Sequence, residues 1–172
     1  MKPLHCILAI ATLAMALPMT AAAQRASGTF VVPNAVGDPL MPIYRGSGVR
    51  DDGAASNTGI ATAIHCTSFS IGTETVRLTI RNWDNSLLVQ FSYTLGAQAT
   101  ATATTHPTIV FDEDFGSLFT PGTIANQGYI AIHATSTNIL CSAQVVDAAA
   151  AVPNGWDLHL VRFNAMTGSG GE

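Results

Sequence analysis

Lysine is all but missing from this sequence: Lys2 is the only one. The body of the chain therefore has no amine for a Schiff base and no phosphate-loop lysine. Charge of either sign is sparse, at 10% of residues, and the eleven acidic side chains outnumber the seven basic ones. That balance, with its arginines scattered, disfavours a phosphate backbone, so nucleic acid is not an expected partner. Other absences exclude other chemistries. There is no Asn-x-Ser/Thr sequon, Gly-x-Ser-x-Gly elbow, His-Glu-x-x-His pair or glycine-rich phosphate loop. No window of useful length carries a helical apolar stripe.

What is present begins with an apolar run. Lys2 precedes CILAIATLAMAL (residues 6–17), Pro18 breaks it, and Ala21-Ala22-Ala23 gives a small-x-small pattern before Gln24. This is the layout of a secretory signal in the bacterial style, cut near Ala23. The run is shorter than the about 20 residues a membrane-spanning helix needs. The expectation is a secreted or periplasmic product with no membrane anchor and no cofactor. The organisation expected is a leader over 1–23, a loop-rich segment over 24–57, a β body over 58–165 forming one domain with it, and a flexible tail over 166–172. FVV and LMPIYR in the loop-rich segment are expected to be short edge strands.

Cysteine is rare. Cys6 leaves with the leader, so Cys66 and Cys141 remain. In an oxidising compartment such a pair defaults to a disulfide, with two separate buried thiols as the alternative. It would close a span of 141 − 66 = 75 residues, worth about 2–4 kcal/mol. His65 beside Cys66 suggests a nucleophilic pair, but neighbours on a strand point to opposite faces.

After residue 57 the chain alternates or is β-branched. Strands are expected over 58–69, 74–81, 87–95, 97–106, 128–135, 139–148 and 156–163, with a turn at NWDNS (82–86) and a long irregular piece over 108–128. Ile60, Ile64 and Cys66 share one inward face, as do Val76, Leu78 and Ile80; Arg77 and Arg81 face out. The small residues of AQATATATTH mark an edge strand. About seven to nine short strands with regular turn signals describe an all-β sandwich.

The stretch VRLTIRNWDNSLLVQFSYTLGAQATATATT (76–105) resembles the middle of bacterial exported immunoglobulin-like modules: strand, polar turn, strand, a Leu-Gly turn, then a Thr-rich strand. The resemblance implies an immunoglobulin-like antiparallel β-sandwich, in which Cys66–Cys141 is an inter-sheet disulfide. It also implies that strands 58–69 and 128–135 are neighbours in one sheet. Those strands carry a near-repeat, AIHCTS at 63–68 and AIHATS at 131–136. On that reading the repeat reflects similar constraints on adjacent strands, with chance as the alternative.

Side-by-side strands would place His65 and His133 on one outer face, about 5 Å apart at Cβ. Two imidazoles can begin a zinc or copper site. Asp112 and Asp114 flank Glu113 ahead of Gly116, and clustered carboxylates in a turning loop suit calcium. Three functions are weighed. The first is a non-catalytic exported module of the envelope or extracellular matrix, meeting an unidentified protein or envelope partner or self-associating through an edge strand, with Phe69 as a possible partner surface. The second is a small-ligand or metal binder using His65 and His133. The third is a hydrolase whose acid/base is Asp112 or Asp114 in the 108–128 loop.

Overall fold

A computed structural model describes residues 38–163 and 170–171. The leader, the FVV segment and most of the expected tail lie outside these residues. The described chain contains no helix, so none is long and apolar enough to cross a membrane. Its strands are β1 (Met41–Asp51), β2 (Ile60–Ser68), β3 (Glu74–Arg81), β4 (Leu87–Leu95), β5 (Thr100–Thr104), β6 (Ala125–Ala134), β7 (Ile139–Asp147), β8 (Gly155–Leu158), β9 (Leu160–Phe163) and the two-residue β10 (Gly170–Gly171). They form two antiparallel sheets, ordered β10-β9-β1-β6-β3-β4 and β5-β2-β7-β8.

Period-two alternation builds both layers. Val76, Leu78 and Ile80 of β3 and Ile130 and Ile132 of β6 are fully buried on the inner face of the larger sheet. Ile64 and Cys66 of β2 and Cys141, Ala143 and Val145 of β7 meet them from the smaller sheet. Truncating one such side chain, Leu78→Ala for example, costs about 2–5 kcal/mol through lost burial and the cavity left behind. Polar bonds also cross between layers: the Tyr44 hydroxyl donates to the Ile139 carbonyl at 3.2 Å.

Several expectations are corrected. LMPIYR does not form a short edge strand. It opens the eleven-residue β1, which lies inside the larger sheet between β9 and β6. β6 is hydrogen-bonded to β1 on one side and β3 on the other. No edge of β6 is left for β2, so strands 58–69 and 128–135 fall in different sheets. The near-repeat therefore does not mark neighbouring strands.

The disulfide exists, but not between sheets. Cys66 and Cys141 are directly paired residues of β2 and β7, with Cα atoms 4.2 Å apart. That is the close approach of a non-hydrogen-bonded antiparallel pair, where two facing cysteines can bond with little backbone movement.

The expected last strand breaks at His159, so β8 belongs to the smaller sheet and β9 to the larger. Gly170 and Gly171, assigned in sequence to the flexible tail, pair with Phe163 and Arg162 of β9. The Ala/Thr strand β5 does end its sheet, as expected, and its outer edge is partly covered by the chain itself. Residues 114–119 run alongside it. Asp114 and Phe115 N–H groups donate to the Thr102 carbonyl at 3.0 and 3.1 Å, and Thr104 N–H donates to the Phe115 carbonyl at 3.0 Å. Phe115 then enters the gap between the sheets against Phe91 and Tyr93.

Candidate functional site

The histidines singled out by sequence do not meet. His65 lies on the outer face of β2, its Nδ1 3.0 Å from Thr102 Oγ1 and its Nε2 3.2 Å from Gln144 Nε2. The Gln144 amide nitrogen can only donate, so His65 Nε2 accepts and Nδ1 carries the proton. Phe111 stacks edge-on at 4.7 Å. Burial holds the ring below the usual histidine range, in keeping with this neutral state. Both nitrogens are spent on holding β5, β2 and β7 together.

His133 sits in the other sheet, paired with Pro42 and Arg77, and is 2% exposed. Among the described residues neither ring nitrogen has a hydrogen-bond partner. Burial, then the positive charges of Arg77 and Arg45, hold it below the usual range, with Asp38 opposing. Asp38 itself is ion-paired to Arg77.

In the acidic loop, Glu113 and Asp114 hold backbone N–H groups. Glu113 Oε1 accepts the Thr108 N–H at 2.7 Å and its hydroxyl at 2.6 Å. Asp114 Oδ2 accepts the Thr102 N–H at 2.9 Å. Asp112 is exposed. Among the described residues no group of three or more His, Cys, Asp or Glu side chains is arranged to hold a metal ion. Phe69 is 62% exposed on the β2–β3 turn, which is tied to the β6–β7 turn by the Phe69 N–H to the Asn138 carbonyl at 2.8 Å. Glu74, 5% exposed, strengthens that tie by accepting the Ser70, Thr135 and Ser136 hydroxyls. Burial alone would raise its carboxyl; those hydroxyls outweigh it and hold the group below the usual range.

One pair, not anticipated from sequence, resembles catalytic machinery. His106 Nδ1 lies 2.8 Å from Asp51 Oδ2, both buried, beside a cavity of about 150 Å³ that Ser56 and Ser117 also line. A hydrolytic triad needs the second imidazole nitrogen free for a nucleophile. Here Nε2 is 2.9 Å from the Thr58 carbonyl and must donate to it. The ring fastens the 52–58 loop to β1 and has no nitrogen left to act as a base.

The opposite situation holds at the other loops of this end, where side chains are mounted but unengaged. An open groove of about 520 Å³ is lined by Gly48, Arg50, Trp83, Asn126, Gln127 and Trp156. The chain has only two tryptophans, and both stand here, 70% and 50% exposed. Trp83 rides on the β3–β4 turn. Asn85 holds that turn in the left-handed region at φ 69°. Its carboxamide oxygen accepts the Tyr129 hydroxyl at 2.6 Å, and Arg81 donates to its carbonyl at 2.8 Å. Trp156, on β8, pairs with Val145 of β7. The preceding Gly155 packs so tightly that an added Cβ would lie 1.8 Å from the Val145 carbonyl oxygen.

The groove floor is made by bulges. Val49 pairs with Gly128 and Asp51 with Ala125, so Asn126 and Gln127 together oppose Arg50 alone. Two residues against one is a β-bulge, which re-aims side chains. All three project outward and are exposed. A second irregularity, between Ser47 and Val49, contains Gly48 at φ +95°. Arg50 is fixed from below: its N–H donates to the Thr62 hydroxyl at 3.0 Å, which donates back to its carbonyl at 2.7 Å. The side chains of Arg50, Trp83, Asn126, Gln127 and Trp156 make no hydrogen bond or ion pair with any other described residue. Sequence reasoning placed Trp83 in a turn and stopped there. The available signal was that Trp-Asp occurs twice, at 83–84 and 156–157, each beside turn-forming residues that leave an indole no route to the core.

Fold and site together define an all-β, disulfide-bonded sandwich with a tryptophan-flanked groove at one end. No family model, curated protein or solved structure matches this chain.

Proposed function

We propose that this chain is an exported, non-catalytic β-sandwich module that binds a component of the cell envelope or extracellular matrix through the Trp83–Trp156 groove. The observation that carries the reading is a contrast. The paired titratable groups His65, His106 and Glu113 are spent on internal hydrogen bonds. The rigidly mounted indoles and amides of the groove bond to nothing else among the described residues. Aromatic faces with a few convergent polar groups are the usual equipment of a recognition site. Export rests on the apolar leader, and a disulfide accords with an oxidising compartment. An immunoglobulin-like layout is part of the proposal and draws on the two-sheet architecture and the Thr-rich β3–β5 stretch; the bridge within one sheet departs from the antibody arrangement.

The test is co-sedimentation of purified protein with insoluble bacterial envelope material. The wild type and the His65→Ala and Asp112→Asn variants are expected to be retained, and a Trp83→Ala/Trp156→Ala double variant to remain in the supernatant. Equal retention of all four would refute the reading.

A further inference from the structure

We infer that the groove takes a segment of an uncharged, linear polysaccharide, stacking sugar rings on Trp83 and Trp156. This rests on the reading that the groove is the binding surface, and adds the ligand class.

Four observations lead there. First, two exposed indoles offer broad apolar faces with a single N–H donor each. A pyranose ring presents a matching face of C–H groups with hydroxyls around its rim. Second, the polar groups between the indoles are of the kind that matches hydroxyls. The Asn126 and Gln127 carboxamides each offer donor and acceptor, and Arg50 offers a fork of donors. A sugar hydroxyl is itself donor and acceptor, and adjacent hydroxyls can engage a carboxamide at two points.

Third, charge argues against a polyanion. Among the described residues Arg50 is the only charged one lining the groove. The indoles are each followed in the chain by an exposed aspartate, Asp84 and Asp157. Asp84 is held ionised by the Ser86 hydroxyl at 2.6 Å, which lowers its carboxyl below the usual range. A single arginine in the lining, with an ionised aspartate on the turn that carries Trp83, suits an uncharged ligand better than a polyanion. Fourth, the groove is open and its about 520 Å³ falls within the about 300–1,000 Å³ of ligand clefts. It can hold more than one ring of a chain that enters and leaves, and its mounting on bulges and a pinned turn keeps the ordering cost of binding low.

The probes are neutral hexasaccharides of β-1,4-linked glucose, N-acetylglucosamine and mannose, a hexauronate, and a polyproline decapeptide. Titration is followed by calorimetry and by indole emission, which comes from the groove alone because the chain has no other tryptophan. At least one neutral hexasaccharide is expected to bind and shift that emission. Trp83→Ala and Trp156→Ala should each weaken it about five- to tenfold, as loss of one stacking contact would, with melting temperatures close to wild type because both positions are exposed. Tighter binding of the hexauronate than of any neutral chain would overturn the inference. So would binding of the decapeptide in place of the saccharides, or saccharide binding that survives both substitutions. If no saccharide binds while envelope retention still depends on the tryptophans, the ligand class falls and the binding-module reading stands. If retention is also indifferent to them, both fall.

Discussion

Replacing both cysteines by alanine isolates what the Cys66–Cys141 bond contributes. The bond joins residues 75 apart in sequence that already face each other across β2 and β7. Its main effect is therefore on the unfolded chain, which it deprives of the freedom to separate those strands. Closing a span of this length is worth about 4.5 kcal/mol at 25 °C in the chain-entropy relation. Residual structure in the reduced chain lowers that, so the expected loss is about 3–4 kcal/mol. For a domain of this size it corresponds to a fall of about 10–15 °C in Tm. Far-UV circular dichroism during thermal and urea unfolding reads it out. Cys66→Ala alone should lose nearly as much as the double variant, because either substitution opens the ring. A loss under about 1 kcal/mol, or singles and double that add as independent sites, would refute the claim that the bond clamps these strands.

Other outcomes follow from the same structure. His65 and His133 are both held below the ordinary histidine value of 6.5, so the unfolded chain binds their protons more readily. Their contribution is complete above that pH and declines as the pH falls through the window beneath it; His133→Leu should flatten the fall in Tm between pH 7.5 and 5.5, and an unchanged slope would be contrary. Glu74 is shifted down from 4.5, so its stabilisation is present above that value and lost as acid protonates it; Glu74→Gln should cost about 1–3 kcal/mol at neutral pH in urea unfolding. His106→Ala should cost about 2–3 kcal/mol by leaving Asp51 Oδ2 buried without its partner while Oδ1 keeps only the Gly53 N–H, and should leave ligand binding at the groove unaltered in calorimetry. Gly48→Ala forces a side chain into φ +95° with its Cβ 3.0 Å from Leu158, and should lower stability by about 1 kcal/mol or more and weaken groove binding together.

The strand faces were legible because alternation is a local property: Val76, Leu78 and Ile80 announce an inner face, and all three are fully buried. β1 was illegible for a physical reason. Its register shifts between Pro42 and Tyr44, between Ser47 and Val49, and again before Asp51. Each irregularity moves the following side chains out of step, so LMPIYRGSGVRD never shows a clean period of two. With only LMPIYR read as a short edge strand, nothing marked β1 as a partner of β6, and the immunoglobulin-like order placed β2 there, which also brought His65 and His133 together. The cysteine pairing survived this error because Cys66 and Cys141 are the only two cysteines after Cys6 and leave one bond to form. The sheet it belongs to depends on long-range pairing that no local pattern encodes. The groove was hidden in the same way. Trp83 and Trp156 are 156 − 83 = 73 residues apart, and the bulge that carries Asn126 and Gln127 exists only against β1.

The central claim is that recognition belongs to the groove and not to the histidines or the acidic loop. Its most direct measurement is a proton–nitrogen correlation spectrum recorded while a neutral β-1,4-linked hexasaccharide is added. The indole N–H signals of Trp83 and Trp156 and the carboxamide signals of Asn126 and Gln127 are predicted to move first and furthest. Largest movements at His65, His106 or the 108–120 backbone, or none at the indoles, would contradict the account.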